Sequence, residues 1–134
     1  MQLSQNFSSG EFACKCGCGL GLKNLEKTTV GFHPGLILTL ELTRERFKAP
    51  VIISRGYSCE KHNQAIGGKA NSAHLDCDPI IAADFLQRGI RPITIYNFLD
   101  PMVGSFGGLG VYDNHVHVDF RGFKARWDKR TKKN

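Results

Sequence analysis

The chain has 134 residues and a net charge of +6 at neutral pH, with 41% apolar and 22% charged residues. That length supports one hydrophobic core without obligatory disulfides, and the composition is that of a soluble globular domain. No apolar run approaches the roughly 18 residues of a membrane span. The opening MQLSQNFSSGEF lacks a basic stretch followed by an apolar one, so no secretory signal is expected and delivery outside the cytoplasm would need release or export by other means.

Phe7 to Phe12 reads as a short amphipathic turn, capped by Ser8 or Ser9 with Glu11 close behind. The glycine- and cysteine-rich stretch through Gly21 reads as loop. Pro34 suits the first residue of a helix running to about Phe47, with Leu36, Leu40 and Phe47 on its apolar stripe and Arg44, Glu45 and Arg46 toward water. Ala49-Pro50 ends it. VIIS at 51–54 predicts a short buried strand, and Arg55-Gly56-Tyr57 a turn out of it. Glu60 to Ile66 can form a helix stopped by Gly67-Gly68. Lys69 to Pro79 reads as polar loop, Ile80 to Phe85 as strand, Ile93 to Leu99 as helix after Pro92, and Pro101 to Gly108 as a glycine-rich loop. Leu109–Tyr112 and His115–Phe120 predict a hairpin turning at Asp113-Asn114. The irregular mixture of helix and strand, without a repeat or a dividing linker, predicts an α+β fold with a small antiparallel sheet flanked by helices. It divides as one domain over 1–127 and a basic tail over 128–134.

Five cysteines are present, three of them in CKCGC at 14–18. An odd count argues against a complete disulfide framework, and the i, i+2, i+4 spacing is not the usual zinc knuckle. A disulfide to Cys59 or Cys77, or buried thiols, remain the structural alternatives. From Arg121 onward there are seven basic residues and one acid, so this segment carries the whole net charge. It reads either as a solvated terminus or as a surface for a polyanion such as nucleic acid or an anionic wall polymer.

The strongest chemical pattern is Asp113-Asn114-His115-Val116-His117-Val118-Asp119. Side chains alternate across a strand, so His115, His117 and Asp119 share one face while Val116 and Val118 enter the core. Asp84 closes an apolar run, IIAAD, where a buried carboxylate needs a cationic partner. His74 sits in the loop sequence NSAH. Together His74, Asp84 and His117 form a set of three ligands with a fourth position open, which is the logic of a catalytic zinc site. The imidazoles argue against calcium or magnesium.

These residues carry a resemblance. NFSSGEFACKCGCG, HPGLILTLELTRERF, PVIIS, RGYSCEKHNQAIGG, NSAH, AADF, GLGVY and HVHVDFR follow one another as in the bacterial and phage zinc peptidases that include D-alanyl-D-alanine carboxypeptidases and L-alanyl-D-glutamate endopeptidases. That family shares its fold with the hedgehog signalling domain. The resemblance implies zinc held by His74, Asp84 and His117, and hydrolysis of an amide bond in peptidoglycan. It also implies a general base, for which Asp113 is the candidate, His115 as oxyanion stabiliser or proton relay, and Arg55 as the group that binds a substrate carboxylate. Three departures stand out. Asp84 follows His74 by ten residues, where the family commonly has seven, so Asp76 and Asp78 in LDCDPI are rival ligands. Arg55 stands earlier than the family's Ser-Gly-Tyr-Arg order. Asn114 occupies the place where many relatives carry an acid. Asp119 could orient a ligand histidine or pair with Arg121 or Arg126. His33 reads as a helix-start residue, and Trp127 as an anchor of the C-terminus.

The expected partners are a peptidoglycan peptide and an anionic wall polymer reached by the basic tail. Nucleic acid is disfavoured, and the chain is expected to be a monomer acting on the cell wall after release or export. A wall-binding module on the same fold, with hydrolysis impaired, is the alternative reading.

Overall fold

The computed structural model describes residues 2–15, 31–75 and 79–132. A 3-10 turn over Ser9–Phe12 opens the chain, and the Glu11 carboxylate accepts from the Ser8 N–H at 3.1 Å as the capping pattern requires. Helix α1 spans Pro34–Phe47. His33 caps it, accepting the Gly35 N–H on Nδ1 at 3.0 Å, and Lys48 ends it in the left-handed conformation with φ 54°. Leu36 and Leu40 are fully buried.

Among the described residues five strands form one sheet: β1 Ile52–Arg55, β2 Ala82–Leu86, β3 Gly108–Val111, β4 Val116–Asp119 and β5 Ala125–Asp128. Their order is β1-β2-β4-β3-β5, antiparallel throughout except for the parallel pair β3–β5. Helix α2 covers Glu60–Ala65, and a 3-10 turn at Ala73–Leu75 lies inside the segment expected to be loop. Helix α3, Pro92–Val103, packs on β3, β4 and α1. The core gathers Phe12, Leu36, Leu40, Phe85, Leu99 and Val118, among others, on one face of the sheet. Val116 and Val118 are both fully buried, as the alternation in HVHVD requires. No helix among the described residues is long and apolar enough to cross a membrane.

Several expectations need correction. Among the described strands β1 stands at an edge of the sheet, and Ile52 is exposed, so VIIS is not buried throughout. Ile80 precedes β2 and instead bridges Phe32. The helix expected to stop at Leu99 runs through Pro101 to Val103. Leu99 and Val103, four residues apart, are both fully buried, so the apolar stripe continues past the proline and its packing outweighs one lost backbone bond. β5 was not foreseen. Its ARWD sequence has little apolar content, and its partner β3 is distant in sequence.

What fixes β5 is Arg126. Paired across the sheet with Leu109, it reaches the C-terminal end of α3. Its guanidinium donates to Asp100 Oδ1 at 2.7 Å, to the Gly104 carbonyl at 2.7 Å and to the Gly107 carbonyl at 2.8 Å. Helix C-termini leave carbonyls without intrahelical partners, and a cation there also meets the helix dipole favourably. Arg126→Ala is therefore expected to destabilise the fold by about 2–3 kcal/mol, read as a lower urea midpoint with an unchanged slope.

Cys14 and Cys59 are buried side by side, with the Cys59 N–H donating to Cys14 Sγ at 3.3 Å. Cys16, Cys18, Cys77 and the rival ligands Asp76 and Asp78 lie outside the described residues.

Candidate metal centre

The sheet register places Arg55 opposite Asp84, Asp84 opposite His117, His117 opposite Gly110, and Gly110 opposite Trp127. One row therefore crosses all five strands on the face turned away from the core. A bulge in β1 brings Arg55 into this row: Ile53 pairs with Phe85, yet Arg55 pairs with Asp84, so Ser54 is the extra residue. In unbroken register Ser54 would face Asp84 and Arg55 would turn to the core side. The bulge re-aims the arginine, which accounts for its displaced position in the sequence.

His74 reaches the row from its 3-10 turn and is buried. Its Nε2 lies 3.1 Å from Asp84 Oδ1 and 3.1 Å from His117 Nδ1, and the latter lies 2.9 Å from Asp84 Oδ1. Ligand atoms of the three residues all fall within 4.8 Å of one another. The backs of both rings are fixed. His74 Nδ1 is 2.7 Å from the Gly56 carbonyl, which can only accept, so Nδ1 carries the proton. His117 Nε2 is 2.6 Å from the Asp119 carboxylate and donates to it. In the neutral rings, Nε2 of His74 and Nδ1 of His117 then present bare lone pairs to each other and to a carboxylate oxygen. Three lone pairs facing one another repel unless a cation sits between them. In a tetrahedral zinc site, bonds of roughly 2.0–2.2 Å put ligand atoms about 3.3–3.5 Å apart, only a few tenths of an ångström wider than here. The donor set fits a metal.

The electrostatics agree. Burial opposes ionisation of Asp84, but His117 and His74 outweigh it and hold the carboxyl well below the usual carboxylate range. Burial also lowers the pKa of His117, yet its hydrogen bonds to Asp119 and Asp84 raise it overall. Both shifts show that these groups favour positive charge among them, which a proton or a metal cation can supply.

Asp119 serves both roles that the sequence left open. Besides His117, it accepts from the Gly108 N–H at 2.9 Å and from Arg121, Nε to Oδ1 at 2.9 Å and NH2 to Oδ2 at 2.7 Å. Arg126 goes instead to Asp100.

The cluster forms the floor of a cleft of about 540 Å³ whose walls include Arg55, Tyr112, Arg121 and Trp127. Arg55 is held by neutral acceptors, Ser58 Oγ at 2.8 Å and Asn63 Oδ1 at 2.7 Å. Its charge is thus not cancelled by a direct ion pair among the described residues. His115 precedes β4, not within it as expected; its ring stacks on Tyr112 at 4.2 Å, and its Nε2 is 3.9 Å from Asp84 Oδ2. Asp113 is not brought to the cluster. It is exposed in the hairpin turn, and its oxygens accept from the Thr131 N–H at 2.9 Å and the Thr131 hydroxyl at 3.0 Å.

Sequence reading passed over Asn63, Ser58, Tyr112 and the pairing of Gly110 with Trp127. The available signal was Gly110, a glycine inside a strand, which marks close approach of another group. A Cβ at Gly110 would lie 2.1 Å from Trp127 Nε1. Trp127 fills that gap and leans on His117, with ring centroids 5.1 Å apart. It anchors β5, and it also forms a wall of the cleft.

A mostly antiparallel α+β domain with two histidines and a carboxylate converging at the base of an open cleft defines a candidate metallohydrolase. The family model of Peptidase M15 matches residues 5–119 of the chain. The chain belongs to that family, as the motif resemblance implied. No curated protein matches it closely enough to add a relative.

Proposed function

We propose that this chain is a zinc-dependent peptidase that hydrolyses an amide bond in the stem peptides of peptidoglycan. The observation that carries this reading is the convergence of His74 Nε2, His117 Nδ1 and Asp84 Oδ1, oriented from behind, on a cleft large enough for a peptide. Zinc held there supplies Lewis acidity toward a carbonyl oxygen and acidifies water, the chemistry that amide hydrolysis needs at neutral pH. Arg55, fixed by Ser58 and Asn63, binds a carboxylate of the substrate and sets its position along the row. His115, beside Asp84, stabilises the developing oxyanion or relays a proton to the leaving amine. Asp113 could act as base only after giving up Thr131, so the geometry favours His115 for proton transfer. Arg121, Arg126 and Arg130 pair with Asp119, Asp100 and Asp128, which leaves the basic C-terminal segment a weaker hold on an anionic wall polymer than its composition suggests.

The test is release of free amines from purified peptidoglycan by zinc-loaded protein. Release should stop with a chelator and return with zinc. One observation favours the wall-binding module instead: Asp84 is the only carboxylate among the described residues lining the cleft. That reading is supported if the zinc-loaded protein co-sediments with peptidoglycan and releases no amine, and this outcome overturns the peptidase.

A further inference from the structure

We propose that Tyr112 is a hydrogen-bond donor to the substrate oxygen that gains charge during hydrolysis, a role that rests on the peptidase reading above. Four contacts prepare it. Trp127 Nε1 lies 2.9 Å from Tyr112 Oη, and an indole N–H can only donate. A phenolic O–H stays near the ring plane, with an acceptor direction on either side. With Trp127 occupying one side, the hydroxyl proton must point to the other. The Tyr112 ring is itself held, stacked on His115 at 4.2 Å with the planes 10° apart. Trp127 is locked in turn by Gly110, where any side chain would displace the indole, and by its contact with His117.

The hydroxyl thus has a filled acceptor and a fixed plane, and it belongs to a residue that lines the cleft floored by His74, Asp84 and His117. A donor oriented before the substrate arrives costs no reorganisation when charge develops, which is what makes such groups effective. Trp127 lies beyond the family match, which ends at residue 119, so the device that aims Tyr112 is drawn from the chain's C-terminal strand.

Tyr112→Phe keeps the stacked ring and removes the hydroxyl, both as donor to substrate and as acceptor for Trp127. Zinc stoichiometry should stay unchanged, KM should move less than about threefold, and kcat should fall about 100- to 1000-fold, the scale of losing one oxyanion donor. Trp127 is the only tryptophan, so its emission reports binding directly. Titrated by that signal, a phosphinate dipeptide matching the bond cleaved by the wild type should bind the variant more weakly by a similar factor, because it carries the tetrahedral oxygens of the transition state. Trp127→Phe leaves the hydroxyl but frees it to rotate, and should cost kcat a smaller factor, about threefold to tenfold. If wild-type hydrolysis is chelator-sensitive and Tyr112→Phe retains kcat within twofold, or changes KM alone, the proposal for Tyr112 is overturned while the peptidase reading stands. If zinc-loaded wild type hydrolyses nothing, both fall.

Discussion

Asp84→Ala is expected to yield a folded protein that no longer holds stoichiometric zinc after passage through a mild chelator. Asp84 Oδ1 lies 3.1 Å from His74 Nε2 and 2.9 Å from His117 Nδ1, so among the described residues it is the one group that touches both ring nitrogens aimed inward. It also brings the only negative charge into the set of three. Without it, two neutral imidazoles remain, and a fully charged ion would sit in a partly buried site with no anion to offset its desolvation. Hydrolysis should fall by roughly 10³-fold or more, equivalent to about 4 kcal/mol in the barrier. Metal content by atomic absorption, with circular dichroism to verify folding, separates loss of zinc from loss of structure. Zinc retained at one ion per chain would move the third ligand to Asp76 or Asp78, and the same measurement on Asp76→Ala and Asp78→Ala would then find it.

Much of this arrangement was legible in the sequence because it depends on local periodicity. The alternation in HVHVD put Val116 and Val118 inward and His117 and Asp119 on the opposite face, and both valines are fully buried. Helix α1 was legible from Pro34 and the spacing of Leu36 and Leu40. The site features that escaped depend on register between distant strands. A single bulge at Ser54 decides whether Arg55 faces the His74, Asp84 and His117 side chains or the core, and nothing in VIISRG marks an extra residue. β5 exists because Arg126 finds the end of α3 and Trp127 finds the space over Gly110, contacts that span 26 and 17 residues of chain. Asp113 lies away from the cluster for a related reason. Its position in the hairpin turn was read correctly, but the direction of a turn side chain is set by what packs beside it, and here that is Thr131.

Asp119→Asn should weaken zinc binding by about 10- to 100-fold although the residue supplies no ligand atom to the candidate site and acts through His117. The carboxylate is fully buried, and its hydrogen-bond partners among the described residues are all donors. Oδ1 accepts from the Gly108 N–H, the Arg121 N–H and Arg121 Nε, and Oδ2 accepts from His117 Nε2 and Arg121 NH2. An amide must put its NH2 group at one of these two positions. At Oδ1 it would oppose three donors, and at Oδ2 only two, so it will face His117. His117 Nε2 must then accept, its proton moves to Nδ1, and the lone pair that faced Asp84 and His74 is lost. Asp119→Ala removes the acceptor without supplying a rival donor. It should leave zinc binding less affected than the asparagine change but cost about 3–5 kcal/mol of stability, because Arg121 and two N–H groups lose their partner. The opposite ranking of the two variants in a competitive chelator titration and in thermal unfolding would be hard to obtain from a merely structural aspartate. The pH dependence adds a third check on the metal-free protein. Burial raises the pKa of Asp119, but His117 and Arg121 outweigh it and hold the carboxyl below its ordinary range. A carboxylate depressed in the folded state stabilises the fold fully above its unfolded pKa of about 3.9, and that contribution fades as pH falls through the folded value. Wild-type stability should therefore decline below about pH 4, and Asp119→Asn, with no proton to take up there, should show a shallower acid slope. An acid slope equal to that of the wild type would mean that the Asp119 charge contributes nothing to holding His117 in place.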